Sequence, residues 1–262
     1  MTLVDIGRSA IDVHVVEATV ASSAATPVVF LHEGLGSIEL WRAFPDDVRA
    51  ACSEPTMVVY SRHGYGRSAV VREPRAVTYM HDEALVVLPA LLEWLGIERP
   101  MLVGHSDGAS IALIYAGAGH RVAGLVLLAP HVFVEDVSIA GIEAARDGYR
   151  SGALRARLAR HHDDVDATFW GWNDVWLSAA FRDWNIESYL SGIDAPTLLV
   201  QGDDDGYGTL AQLDAIERGV RGPVERLVIP GAGHTLHLGA PASDLVDAIA
   251  HFYAELGRST AP

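Results

Sequence analysis

Several things are scarce or missing in this chain, and each absence narrows what it does. Cys52 is the only cysteine in 262 residues. A single thiol excludes an internal disulfide and any cysteine-built metal cage, and it suits a reducing compartment. Positive charge is also thin: 19 Lys and Arg against 34 Asp and Glu leave a net charge of −15. Without a basic cluster, neither nucleic acid nor an anionic membrane surface is an expected partner. No apolar run approaches the ~20 residues that a membrane-spanning helix needs. Residues Met1 to Ala10 lack the basic-then-apolar pattern of a secretory signal. A cytoplasmic protein acting on a small molecule is therefore expected, with homo-oligomerisation left open. No phosphate loop of G-x-x-x-x-G-K type is present, and Gly64-Tyr65-Gly66 alone is too weak a signal for a dinucleotide site. No cofactor is expected.

Half of the composition is apolar, and its arrangement is regular. Short β-branched runs recur at Pro27–Leu31, Thr56–Tyr60, Met101–Val103, Gly124–Leu128, Thr197–Val200 and Arg226–Ile229. Uniformly apolar runs of this length suit strands covered on both faces. Helical spacing lies between them, at Met80 to Leu95 and again at Pro241 to Leu256. The alternation predicts an open α/β sheet, and Ile11–Val16 reads as an antiparallel edge strand. From about His131 to Ile193 the alternation stops. Ile139–Tyr149, Ala153–His161, Asp164–Trp172 and Val175–Tyr189 look helical there. Trp170, Trp172, Trp176 and Trp184 fall in the same interval. This segment reads as a helical lid over residues 131–193 on a core of residues 1–130 and 194–262. Most of its aromatics are expected to pack the lid down, with Trp172 and Trp176 lining a pocket beneath.

The chemistry is concentrated at Gly104-His105-Ser106-Asp107-Gly108, between the Met101–Val103 strand and an apolar helix. A serine between two glycines at a strand-to-helix turn is the nucleophile-elbow pattern, which raises the hydroxyl above the sheet edge. Such a serine needs a base and an acid that orients the base. Among twelve histidines, His234 stands out because Pro230-Gly231-Ala232-Gly233 places it on a flexible loop after the last strand. His237 is the weaker alternative. The acid falls among Asp203, Asp204 and Asp205, directly after the Thr197–Val200 strand, and position alone does not rank them. The His161-His162-Asp163-Asp164 run is not expected to hold a metal, since adjacent helical side chains diverge.

These motifs together resemble the serine-nucleophile class of the α/β-hydrolase superfamily, over nearly the whole chain and in its Ser, Asp, His order. The resemblance implies a mostly parallel eight-stranded sheet flanked by helices, with a helical cap inserted after the sixth strand. It selects Asp205 through the family's G-x-x-D pattern from Gly202, and matches Gly231-Ala232-Gly233-His234 to its G-x-G-H loop. Arg62-His63-Gly64-Tyr65-Gly66-Arg67-Ser68 is similar to its R-G-x-G-x-S turn, with His63 as the extra residue. The implied oxyanion donors are the backbone N–H groups of Asp107 and of Gly34, in the loop His32-Glu33-Gly34-Leu35-Gly36. Each such donor supplies roughly 3 kcal/mol of transition-state stabilisation. Glu33 stands where relatives carry glycine and brings a carboxylate to the pocket, while His131 and Phe133 are placed to line it. His105 is expected to brace the elbow. Asp107 is read as capping the following helix, or else, as in relatives resembling biphenyl-hydrolase-like amino-acid ester hydrolases, as holding a substrate ammonium group. A serine excludes the aspartate-based chemistry of dehalogenases and epoxide hydrolases. The implied activity is hydrolysis of a small hydrophobic or aromatic ester, thioester or lactone through an acyl-enzyme. A carbon–carbon hydrolase of ring-cleavage products and a non-catalytic receptor of the same fold are the rivals.

Overall fold

The computed structural model describes residues 2–6, 10–19, 25–239 and 241–258. Eight strands form one sheet in the order β1-β2-β4-β3-β5-β6-β7-β8. They are β1 (Thr2–Asp5), β2 (Ala10–Val16), β3 (Val28–Leu31), β4 (Met57–Ser61), β5 (Met101–His105), β6 (Gly124–Leu128), β7 (Thr197–Gly202) and β8 (Val224–Ile229). β2 pairs antiparallel with β1 and β4, and every later pairing is parallel. All residues of β3 to β7 are buried, as strands wrapped on both faces must be. Ten α-helices are described: α1 (Phe44–Ala51), α2 (Tyr79–Asp82), α3 (Leu88–Leu95), α4 (Asp107–Gly117), α5 (Asp136–Arg150), α6 (Ala153–Leu158), α7 (Val165–Trp176), α8 (Glu187–Leu190), α9 (Ala211–Gly219) and α10 (Pro241–Arg258).

Side chains along each strand alternate between two cores. Phe30, Val59, Val103 and Val126 face α1 and α10, where Phe44, Val48, Leu245, Ile249 and Phe252 meet them. Val29, Leu31, Leu102, Leu125 and Leu127 face α2 to α4, α9 and the helices inserted between β6 and β7. α4 runs through the middle of this second core and is buried from Asp107 to Ala116. No helix among the described residues is long and apolar enough to cross a membrane.

Two local expectations are corrected. Ile11–Val16 is not the sheet edge, because Thr2–Asp5 pairs outside it. That four-residue strand has one buried side chain and hence no apolar run to betray it. The expected helical stretch Met80–Leu95 is present as one path, with a π-helical turn at Glu83–Val87 that joins α2 to α3. Val175–Tyr189 is not one helix: α7 ends at Trp176, a 3₁₀ turn follows at Ala179–Phe181, and α8 begins at Glu187. Side chains supply the competing backbone bonds. Ser178 Oγ accepts from Phe181 N–H, Asn185 Oδ1 accepts from Glu187 N–H, and Asn185 bridges Phe133.

Candidate active site

β5 ends at His105 and α4 begins at Asp107, leaving Ser106 at the junction with φ 53° and ψ −117°. A side-chain-bearing residue rarely adopts such a backbone, and holding it there costs of order 1–3 kcal/mol. The flanking glycines make the turn feasible. A Cβ at Gly108 would lie 1.9 Å from the Leu31 carbonyl oxygen, and one at Gly104 would lie 2.5 Å from that of Gly108. Ser106 N–H donates to the Leu128 carbonyl, and its own carbonyl accepts from Ala109 and Ser110, at 2.9 and 3.1 Å.

The loops after β7 and β8 meet at the same sheet edge. His234 Nδ1 lies 2.9 Å from both carboxylate oxygens of Asp205. That carboxylate also accepts from Tyr207 N–H at 2.8 Å and Gln201 Nε2 at 3.2 Å. Burial opposes ionisation of Asp205, but the bond and charge of His234, with the Tyr207 N–H, bring its carboxyl below the usual range. The three aspartates separate cleanly: Asp203 Oδ1 accepts from Gly231 N–H, Asp204 is exposed, and Asp205 is set against the histidine. His237 is buried against Trp41 and Phe44, away from Asp205.

Ser106 and His234 open into one cavity of about 150 Å³. Its walls are mostly apolar, with Leu35, Ile142, Trp172, Trp176 and Tyr207 among them, and Glu33, Gly34 and His131 also contribute. Burial, with the neighbouring His234 ring adding to it, pushes His131 down to about 3, so it is a neutral ring at ordinary pH. Phe133 is a correction, because it does not line the cavity. Its backbone bridges Asn185 and its carbonyl accepts from Gln212, which turns the segment away after His131. Ser138 and Ile142 of α5 fill the space instead.

The model of the alpha/beta hydrolase family matches residues 28–248. The chain belongs to the alpha/beta hydrolase family. It is 28% identical over 181 residues to a non-heme haloperoxidase of Rhodococcus erythropolis, covering 57% of this chain and 64% of that protein. A proline iminopeptidase structure from Mycobacterium smegmatis superposes with a TM-score of 0.77 at 20% identity, covering 99% of each chain. The enol-lactonase of Burkholderia xenovorans LB400 superposes at 0.71 with 16% identity, covering 97% of this chain and 99% of that one. Other relatives and fold neighbours include esterases, lipases and peptidases.

In this alpha/beta hydrolase the loop after β3 is fastened by groups that motif reading passed over. Three donors converge on the Glu33 carbonyl: His32 Nδ1 at 2.7 Å, Arg62 Nη2 at 2.8 Å and Gly36 N–H at 3.0 Å. His32 Nε2 in turn accepts from Arg62 N–H at 3.0 Å, which fixes one neutral tautomer. His162 donates through Nε2 to the Leu35 carbonyl and accepts at Nδ1 from Gly66 N–H. His161 Nδ1 contacts Glu39, so this histidine pair ties the inserted helices to the body. Among the described residues no group of three potential ligands converges to hold a metal. The Glu33 carboxylate lies 3.5 Å from His105 Nδ1. Burial would raise its pKa, but His105 beside it holds it far below the ordinary carboxylate range. His105 Nε2 lies 2.9 Å from the His234 carbonyl, which joins the elbow to the histidine loop.

Asp107 does neither task expected of its side chain. Its Oδ1 accepts no hydrogen bond and its Oδ2 meets only Tyr79 and Arg62, so it caps no helix N–H, and it is absent from the cavity wall. Its carboxylate is buried behind the elbow, accepting from Tyr79 at 2.7 Å and lying 3.4 Å from Arg62 Nη2. Only its backbone N–H, first in α4 and without an intrahelical acceptor, remains for the site. Arg62 opens the glycine turn matched in the sequence, whereas Tyr79 carried no signal at all.

Proposed function

We propose that this enzyme hydrolyses a small carboxylic ester, thioester or lactone through an acyl-enzyme, with Ser106 as nucleophile, His234 as general base and acid, and Asp205 as orienting carboxylate. The observation that carries the reading is the strained Ser106 opening into the same cavity as His234, whose far nitrogen is held by Asp205.

In this mechanism His234 Nε2 takes the Ser106 proton as the hydroxyl oxygen bonds to the substrate carbonyl carbon. The carbonyl π electrons move to oxygen, and the N–H groups of Asp107 and Gly34 stabilise that oxyanion. Collapse expels the alcohol or thiol, which leaves with the proton from His234. A water then gives its proton to His234 and attacks the acyl carbon. A second collapse frees the carboxylic acid and returns the proton to Ser106. Asp205 keeps Nδ1 protonated throughout, so that Nε2 is the basic nitrogen.

Residues 131–193 form the cap in this reading, with Trp172 and Trp176 as the roof over the acyl group. A cavity near 150 Å³ holds about one benzene-sized body, which matches a short or single-ring acyl group. The test is turnover of p-nitrophenyl acetate and labelling by a fluorophosphonate. Wild type should turn over and label, and Ser106→Ala should do neither while its circular dichroism is unchanged. Full turnover by Ser106→Ala removes Ser106 from the mechanism.

A further inference from the structure

Arg62 is fully buried and is not part of the cavity wall, yet it reaches both halves of the oxyanion hole proposed above. Its Nη2 donates to the Glu33 carbonyl at 2.8 Å and stands 3.4 Å from Asp107 Oδ2. The Glu33 carbonyl and the Gly34 N–H belong to one planar trans peptide, in which C=O and N–H point in opposite directions. Holding the oxygen from one side therefore aims the N–H to the other. His32 Nδ1 and Gly36 N–H hold the same oxygen, and bonds in series polarise the amide and strengthen its N–H as a donor. Among the described residues the Gly34 N–H takes no protein acceptor.

The other half is fastened through Asp107. The Tyr79 hydroxyl donates to Asp107 Oδ2 at 2.7 Å and accepts from Trp176 Nε1 at 2.9 Å. Trp176 ends α7 and forms part of the cavity wall. One buried line of bonds thus runs from the inserted helices through Tyr79 and Asp107 to Arg62, and on to the Glu33–Gly34 peptide. The members are 1% exposed at Arg62 and Asp107, 2% at Trp176 and 7% at Tyr79. Charge-assisted bonds in so dry a place are strong and intolerant of displacement.

We propose that Arg62 is a positioning residue that sets both oxyanion donors together. The Trp176–Tyr79 arm makes that setting depend on how the inserted helices pack. The inference rests on the serine-hydrolase reading. It adds a device by which a closed cavity has its donors aligned, while a displaced α7 takes Trp176 Nε1 away from the Tyr79 hydroxyl, the donor that holds Asp107.

The test uses Tyr79→Phe, which keeps the ring and loses the hydroxyl, and Arg62→Lys, which keeps the charge and loses the fork. Steady-state hydrolysis of p-nitrophenyl acetate is measured beside the ionisation of the Ser106 hemiketal formed with a carbonyl-¹³C aryl trifluoromethyl ketone, followed by NMR against pH. Misaligned donors should lower kcat about 10-fold in Tyr79→Phe and about 100-fold in Arg62→Lys, with KM changed less than about 3-fold. The hemiketal hydroxyl should ionise at higher pH in both. Wild-type hemiketal ionisation in a folded variant overturns the inference, even if its melting temperature falls, because a merely structural role leaves that signature unmoved. If Arg62→Lys does not fold, Tyr79→Phe decides alone. Fluorophosphonate labelling separates the two levels. A labelled wild type with unaltered variants sinks the inference only, whereas an unlabelled wild type sinks the hydrolase reading with it.

Discussion

The indole of Trp172 lies on the α-carbon of Gly34: a Cβ built there would sit 2.0 Å from Nε1. Gly34 is obligatory because an inserted helix has closed over it, and its backbone φ is not in the left-handed region. Gly34→Ala should therefore push either the loop or α7 aside. If the Gly34 N–H is displaced, kcat should fall about 10²–10³-fold, the usual loss for one oxyanion donor. Trp172→Ala opens the space that the new methyl needs. In the double variant the two losses should be less than additive, with a coupling of about 0.5–3 kcal/mol measured from kcat/KM across the cycle. Strict additivity would show that the two residues do not oppose each other.

Ser106 holds a side chain at positive φ, so removing that side chain should relieve the strain. Ser106→Gly is expected to abolish ester turnover and to stabilise the fold by about 1 kcal/mol, since glycine takes positive φ freely. Chemical denaturation with a constant m-value checks this. A variant less stable than wild type would mean that the elbow is not strained.

Asp205→Asn leaves the shape of the site but replaces an acceptor with an amide that can donate to His234 Nδ1. The imidazole then presents its proton to Ser106 instead of its lone pair. A fall in kcat of about 10⁴-fold is expected, with KM nearly constant. Asp204→Asn, on an exposed neighbour, should be silent. Equal losses from both would reopen the choice of acid.

Acid should destabilise this protein earlier than carboxylates alone would. Burial lowers His32 well below its ordinary value, His131 to about 3, and His162 and His237 to about 4. These groups are neutral in the folded state, while the unfolded chain takes up their protons below about pH 6.5. The unfolded state then binds more protons, so stability is fully present above pH 6.5 and is lost as pH falls toward 4. Each histidine contributes up to about 1.4 kcal/mol per pH unit in that window. Urea midpoints between pH 7 and pH 4 measure the slope. His162→Gln should reduce it, and a flat profile down to pH 5 would contradict the buried neutral rings.

The sequence by itself determined seven of the eight strands, the strand-to-helix turn at Ser106, and the loops that carry the serine and histidine. Those features are local: apolar runs, glycines at fixed offsets and strand-end positions all follow from chain chemistry within a dozen residues. The choice of Asp205 over Asp203 and Asp204 came from the family resemblance, and the bond to His234 agrees with it, though the two residues lie 29 apart in the chain. Tertiary structure alone decided the task of the Asp107 side chain, the exclusion of Phe133 from the cavity and the recruitment of Arg62, Tyr79 and His162. Each of these depends on which distant polar group a buried donor meets. A buried polar atom must find some partner, but its own segment does not say which one, because packing between elements far apart in the chain brings that partner from up to 127 residues away.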